Sequence, residues 1–219
     1  MSRRLAVAVL VSGEGTTLDA LAEMALGDHL PARIVLVVAD RPHAPAVERA
    51  RQRGLPTLVL PSRGTDLAAW SERLTEELIR AGAELVVLAG FLTILPPSWV
   101  DRWAGRAINV HPALLPRYGG RGMYGAKVHA AVLAAGDRTT GATVHLVTGA
   151  TDAGPVLAQR TVPVEPGDTP AALRDRLHPV EVALLAETVR RFADGELPLP
   201  YRAPEAPATP ERDGRDGRR

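Results

Sequence analysis

Leu5-Ala6-Val7-Ala8-Val9-Leu10-Val11-Ser12-Gly13-Glu14-Gly15-Thr16-Thr17 is the stretch on which the reading of this chain turns. An aliphatic run from Leu5 to Val11 is too short to cross a bilayer, and a glycine-rich turn follows it where a leader would carry a cleavage site. A continuous apolar run closed by Ser12-Gly13 reads instead as a strand buried on both faces, as strands of helix-covered parallel sheets are. Gly13-x-Gly15 is then a strand-to-helix turn, and Leu18, Leu21, Ala22 and Ala25 recur behind it at helical spacing.

The alternation continues outward. Ile34–Ala39, Thr57–Leu60 and Leu85–Ala89 read as strands. Ala44–Arg53, ended by Gly54, and Leu67–Ala81, with Trp70, Leu74 and Leu78 on one face, read as helices. Strands separated by helices predict right-handed crossovers and a parallel sheet covered on both sides. Beyond residue 118 the rhythm changes. The four glycines of Gly119–Gly125 predict a mobile or tightly turned loop, and a helix follows from Ala126 to Ala135. Ala142–Thr148 and Val156–Val164 read as an antiparallel pair continuing the sheet. Asp168 or Thr169 caps a last helix with Pro170 in its first turn and Leu173, Leu177, Val180, Leu184 and Leu185 as its stripe. Pro179 interrupts that stripe and predicts a kink or break, since an interior proline costs about 3 kcal/mol in an unbroken helix.

The expected fold class is therefore α/β: a single Rossmann-like domain over residues 1–200, its sheet mostly parallel with an antiparallel C-terminal extension. Residues 201–219, rich in proline and charge, are expected to be a disordered tail. Hydrophobic residues make up 46% of the 219 and charged residues 23%, which suits one large soluble domain or at most two small ones. A formal net charge of +1 gives no reason to expect a nucleic-acid or membrane partner. With no cysteine, disulfides, thiolate metal sites and a cysteine nucleophile are excluded, and a cytoplasmic location is expected.

Three motifs carry chemistry. The Gly13–Thr17 turn opens a helix, where backbone N–H groups can hold a phosphate, although a tight turn without a ligand has the same sequence. The dinucleotide fingerprint is incomplete, because Leu18 stands where its third glycine belongs; Asp40, at a later strand end, keeps a nucleotide-binding module open as a non-enzymatic reading. Asn109-Val110-His111-Pro112-Ala113-Leu114-Leu115-Pro116 is the second motif. An amide and an imidazole two residues apart leave a strand on the same side. With a carboxylate they make an oxyanion site with a proton carrier. Asp152, in Thr151-Asp152-Ala153-Gly154-Pro155, is the candidate carboxylate, with a plain turn aspartate as the alternative. His145, between Val144 and Leu146, reads as a packed strand residue, and the remaining histidines lack the spacing of metal ligands, so no metal is expected. The third motif, Gly90-Phe91-Leu92-Thr93-Ile94-Leu95-Pro96, follows a strand at the carboxyl end where ligands of α/β sheets bind.

Asn109-x-His111, then Val144-His145-Leu146-Val147, Asp152 and Gly154-Pro155, in this order and spacing, resemble the folate-dependent formyltransferases over roughly residues 5–195. The resemblance implies the formyltransferase fold, with Asn109, His111 and Asp152 catalytic. It implies further that Gly13, Glu14, Gly15, Thr16 and Thr17 hold a substrate phosphate and that Glu181 receives the substrate amine. Phe91, Leu92, Thr93, Ile94 and Leu95, with Thr148, Gly149, Ala150 and Thr151, would line the folate pocket. The implied reaction moves a formyl group from 10-formyltetrahydrofolate, a co-substrate, to a small phosphorylated amine, phosphoribosylglycinamide of purine synthesis being the first choice. An amino sugar or a natural-product amine is the alternative acceptor. Methionyl-tRNA and formyltetrahydrofolate-hydrolysing members carry a further domain for which this length leaves no room. The partners expected are these small molecules, and the chain is expected to act as a monomer or homodimer. Three positions depart from the family pattern. Thr93 and Leu67 stand where arginine is usual, Arg63 lying near the second, and Val182 replaces the histidine after Glu181. Glu14 beside a phosphate requires its side chain to turn outward.

Overall fold

The computed structural model describes residues 4–203. Along the chain, β1 (Leu5–Val11) is followed by α1 (Thr16–Leu26), β2 (Ala32–Ala39), α2 (Pro45–Gln52), β3 (Thr57–Val59), α3 (Leu67–Arg80) and β4 (Leu85–Leu88). Then come α4 (Pro97–Arg102), β5 (Ala107–His111), α5 (Ala126–Ala134), β6 (Thr139–Leu146), β7 (Val156–Pro163) and α6 (Pro170–Ala193). Every residue of β1 is buried. Successive side chains of a strand leave on opposite faces. Val7, Val9 and Val11 accordingly join one apolar cluster, with residues of α1, α2 and α6, while Ala8 and Leu10 join a second, with Trp70, Leu74 and Leu78 of α3 and Trp99 of α4. The uninterrupted hydrophobicity of β1 is the consequence of having helices on both sides.

The sheet runs β3-β2-β1-β4-β5-β6-β7. β1 to β5 are parallel, and β6 and β7 return antiparallel, which is the expected α/β class with its C-terminal extension. The order reverses between β1 and β4. Loops leaving the carboxyl ends of those strands diverge there and open a crevice. Ser12 ties the two together: its N–H donates to Gly90 O at 3.3 Å and its hydroxyl accepts from Leu92 N at 2.8 Å.

Several elements differ from expectation. α4 has no counterpart in the sequence reading, because a six-residue helix opening on Pro97 is too short to show a periodic stripe. β6 begins at Thr139, three residues early, since Thr139 and Thr140 pair with Pro163 and Val162. Of the kink or break expected at Pro179, the break is absent: α6 is one helix from Pro170 to Ala193 with Thr169 as its cap. Pro179 lies on the exposed side, where solvent can take the carbonyl four residues back that loses its N–H partner, and nine buried residues hold α6 down. The chain also stays packed past residue 200. Tyr201 N donates to Gly105 O at 2.8 Å, and the Tyr201 ring meets Phe192 edge-on. The rest of the expected tail, from 204 on, lies outside the described residues. Among the described residues no helix is long and apolar enough to cross a membrane.

Candidate active site

A cleft of about 1090 Å³ opens where the loops after β1, β4 and β5 meet the β6–β7 connection and α6. It is lined by every residue to which the formyltransferase resemblance assigned a role: Gly13 to Thr17, Phe91 to Leu95, Asn109, His111, Thr148 to Asp152 and Glu181. His129, Arg174, His178 and the glycine loop through Tyr124 complete its wall.

The β1–α1 turn leaves the first backbone N–H groups of α1 without a side-chain cap at the edge of the cleft. Gly15 caps α1 at φ 75. A Cβ on Gly15 would stand 2.6 Å from Ala46 Cβ, so α2 demands glycine there as well as the backbone angle. Glu14 is exposed at the rim of the cleft. The hydroxyl of Thr93 is committed to the wall, donating to Asp40 Oδ2 at 2.6 Å and so accepting from Ser62 Oγ at 2.7 Å. Asp40 is buried under that bond and does not reach the cleft, which removes the carboxylate on which the nucleotide-binding alternative relied. Arg63 is also absent from the cleft wall.

At the end of β5, Asn109 and His111 leave on one side and meet Asp152, whose own backbone is left-handed at φ 55. His111 Nδ1 lies 3.6 Å from Asp152 Oδ2, and Asn109 Nδ2 lies 3.4 Å from Asp152 Oδ1. His111 Nε2 is 2.7 Å from Tyr118 O. A carbonyl can only accept, so Nε2 carries the proton and Nδ1 is the nitrogen turned toward Asp152. Gly120 N donates to Asp152 Oδ2 at 3.0 Å. Gly119 lets the loop come this close, since a Cβ there would meet Leu115 at 2.6 Å and Asp152 at 3.2 Å.

Burial lowers the pKa of His111, outweighing Asp152 and the Tyr118 carbonyl, which favour its charged form. With its pKa held below the ordinary value, the free His111 imidazole is uncharged near neutrality. Burial alone would push Asp152 up, but the Gly120 N–H donated to it, together with His145 and His111 whenever either ring is protonated, holds its carboxyl below the ordinary value. Glu181, on α6, is pushed up to about 7 by burial.

His145, read as a packed strand residue, is both packed and part of the site. It lies directly across from Asn109 in the β5–β6 ladder. Its Nδ1–H donates to Leu146 O at 2.8 Å, which leaves Nε2 to accept from Asn109 Nδ2 at 3.1 Å. Only the cross-strand register reveals this. Tyr118 and Gly120 enter through backbone groups, which leave no mark on side-chain identity. Among the described residues no three His, Asp or Glu side chains are grouped as metal ligands.

The chain matches the formyl transferase family over residues 5–189 and belongs to it. It is 42% identical over 190 residues to the phosphoribosylglycinamide formyltransferase of Mycobacterium tuberculosis, covering 84% of this chain and 83% of that protein. It is 38% identical to the trifunctional purine biosynthetic protein adenosine-3 of Drosophila melanogaster over 82% of this chain, which spans 13% of that longer protein. The crystal structure of glycinamide ribonucleotide transformylase 1 from Symbiobacterium toebii is similar at a TM-score of 0.84 and 33% identity, with 90% of this chain and 92% of that chain covered.

Proposed function

We propose that this protein transfers the formyl group of 10-formyltetrahydrofolate to the amine of 5'-phosphoribosylglycinamide in purine biosynthesis, in the cytoplasm. The observation that carries this reading is a single cleft bordered by an uncapped helix start, a buried carboxylate and an amide–imidazole–carboxylate cluster. Membership of the family and the named relatives support it. At about 1090 Å³ the cleft is larger than a typical small-molecule pocket, as two substrates require.

In this reading Gly13, Glu14, Gly15, Thr16 and Thr17 hold the acceptor's phosphate through backbone groups and hydroxyls, and Glu181 receives its amine. Phe91 to Leu95 and Thr148 to Thr151 hold the folate ring system. All these residues come from one chain, so a monomer suffices, and neither a metal, a nucleic acid nor a membrane has a role. The neutral amine attacks the formyl carbon, forming a C–N bond and a tetrahedral oxyanion. His111 Nδ1 takes the amine's proton, directly or through water, and the imidazolium so formed is stabilised beside Asp152. Its Nδ1–H and one amide hydrogen of Asn109, now only 3.4 Å from Asp152, are the donors for the oxyanion. As the oxyanion collapses, the bond between the formyl carbon and the folate nitrogen breaks, and that nitrogen receives the proton. No acyl-enzyme is needed, and the chain holds no cysteine to form one.

The test is a transfer assay with purified protein, 10-formyltetrahydrofolate and phosphoribosylglycinamide, with an amino sugar phosphate run in parallel. Formylation of phosphoribosylglycinamide is expected. A folded protein that leaves it untouched, or that formylates only the amino sugar, refutes the acceptor assignment.

A further inference from the structure

One segment, Arg117 to Gly120, contacts both ionisable members of the cluster, and with opposite polarity. Its Tyr118 carbonyl accepts from His111 Nε2 at 2.7 Å, and its Gly120 N–H donates to Asp152 at 3.0 Å. Tyr118, which presents this carbonyl, is left-handed, φ 58, a region an aromatic residue enters at a cost. Something must hold it there. The Tyr118 hydroxyl donates to Asp137 Oδ2 at 2.7 Å, across the turn between α5 and β6. Arg117 closes the arrangement, reaching Asp137 Oδ1 at 3.0 Å and the Tyr118 hydroxyl at 2.9 Å, with its guanidinium 5.0 Å from the centre of the Tyr118 ring.

We propose that Tyr118 is a positioning residue: pinned by its hydroxyl to Asp137, it presents its carbonyl to His111 Nε2 and thereby fixes Nδ1 as the nitrogen that works on the substrates. This rests on the formyl-transfer reading of the same cluster. A neutral imidazole carries one proton, and without a fixed acceptor it divides that proton between its two nitrogens. An imidazole protonated at Nδ1 would have no lone pair to turn toward the amine. The Tyr118 carbonyl removes that wrong tautomer.

The experiment measures the His111 tautomer by two-bond nitrogen–proton correlation in the free protein, in the uncharged imidazole range, beside steady-state kinetics. Wild type is expected to show His111 protonated at Nε2. Tyr118→Phe, which keeps the ring and loses the hydroxyl, should add a population protonated at Nδ1 and lower kcat about tenfold, with KM for both substrates within about twofold. Asp137→Asn should do the same, and the double variant should be no worse than either alone, as members of one unit behave. A wild-type His111 protonated at Nδ1 overturns the proposal. So does a Tyr118→Phe protein with unchanged tautomer and kcat, or one whose loss lies in KM or in melting temperature. A wild-type protein inert toward phosphoribosylglycinamide would refute the acceptor assignment, and the tautomer comparison would then decide this proposal by itself.

Discussion

Burial acts in opposite directions on two groups of the cleft. Loss of solvent disfavours charge, so His111 is pushed down and Glu181 up, to about 7. The free site thus presents a neutral imidazole as proton acceptor and a carboxyl that ionises near neutrality. An acceptor arriving as an ammonium binds the ionised carboxylate, so kcat/KM for the acceptor should rise with pH through about 7, to which burial raises Glu181 in the free protein. In the bound complex the ammonium stabilises the carboxylate, and the corresponding limb of kcat should lie at lower pH. Glu181→Gln should abolish the limb near 7; its persistence in that variant would assign the limb to another group. The three residues around the reacting carbon act together. Asn109→Ala, His111→Ala and Asp152→Asn should each lower kcat by about 10²–10³, the usual cost of an oxyanion donor, with little change in melting temperature. Their double variants should fall far short of the product of the single losses. Near-normal turnover in His111→Ala or Asp152→Asn at saturating substrates would remove that residue from the reaction.

At the scale of elements, the loop from Phe91 to Leu95 divides its labour. Leu95 is 8% exposed and belongs to the core beside Trp70 and Trp99, whereas Ile94 is 45% exposed and lines the cleft. A charge at Leu95 would damage folding before it reported on binding. Ile94→Arg should keep the fold and weaken a folate analogue at least about tenfold, ~1.4 kcal/mol, by titration calorimetry. An unchanged folate affinity with a lost acceptor affinity would mean the two subsites are exchanged. What the sequence made legible follows the same division. α1, α3 and the stripe of α6 were readable because one period ran through each of them, and β1 because its apolar run is unbroken and closes at Ser12-Gly13. α4 escaped because Pro97–Arg102 is shorter than two turns, and no break occurs at Pro179 because propensity knows nothing of which side of a helix faces solvent. In the site, Asn109, His111 and Asp152 were visible as side chains of the right chemistry. His145 required knowing which strand residue faces Asn109, and Tyr118 and Gly120 act through the main chain, which any residue type possesses.

The whole molecule closes on itself at a place composition concealed. Proline and charge from residue 201 on suggested that nothing there was held, yet Tyr201 lies against both Phe192 and the turn before β5, and Leu197 ahead of it is buried. Gly105, at φ 70, accepts the Tyr201 N–H, and a Cβ there would run into the Tyr201 backbone. The segment therefore fastens the end of α6 to the strand that carries Asn109 and His111. We propose that the folding unit ends at about Tyr201. Ending the chain after Ala203 should leave the melting temperature within about one degree. Ending it after Gly195 removes Leu197 and the Tyr201 contacts. Burying one leucine is worth about 1.5–3 kcal/mol, and in a domain of this size each kcal/mol shifts melting by about 2–4 °C. A fall of roughly 5 °C or more is therefore expected for the shorter chain, and Gly105→Ala in the full chain should reproduce part of it by forcing Tyr201 away. If the chain ending after Gly195 melts like the full-length protein, the strap is a surface contact only and the unit ends with α6.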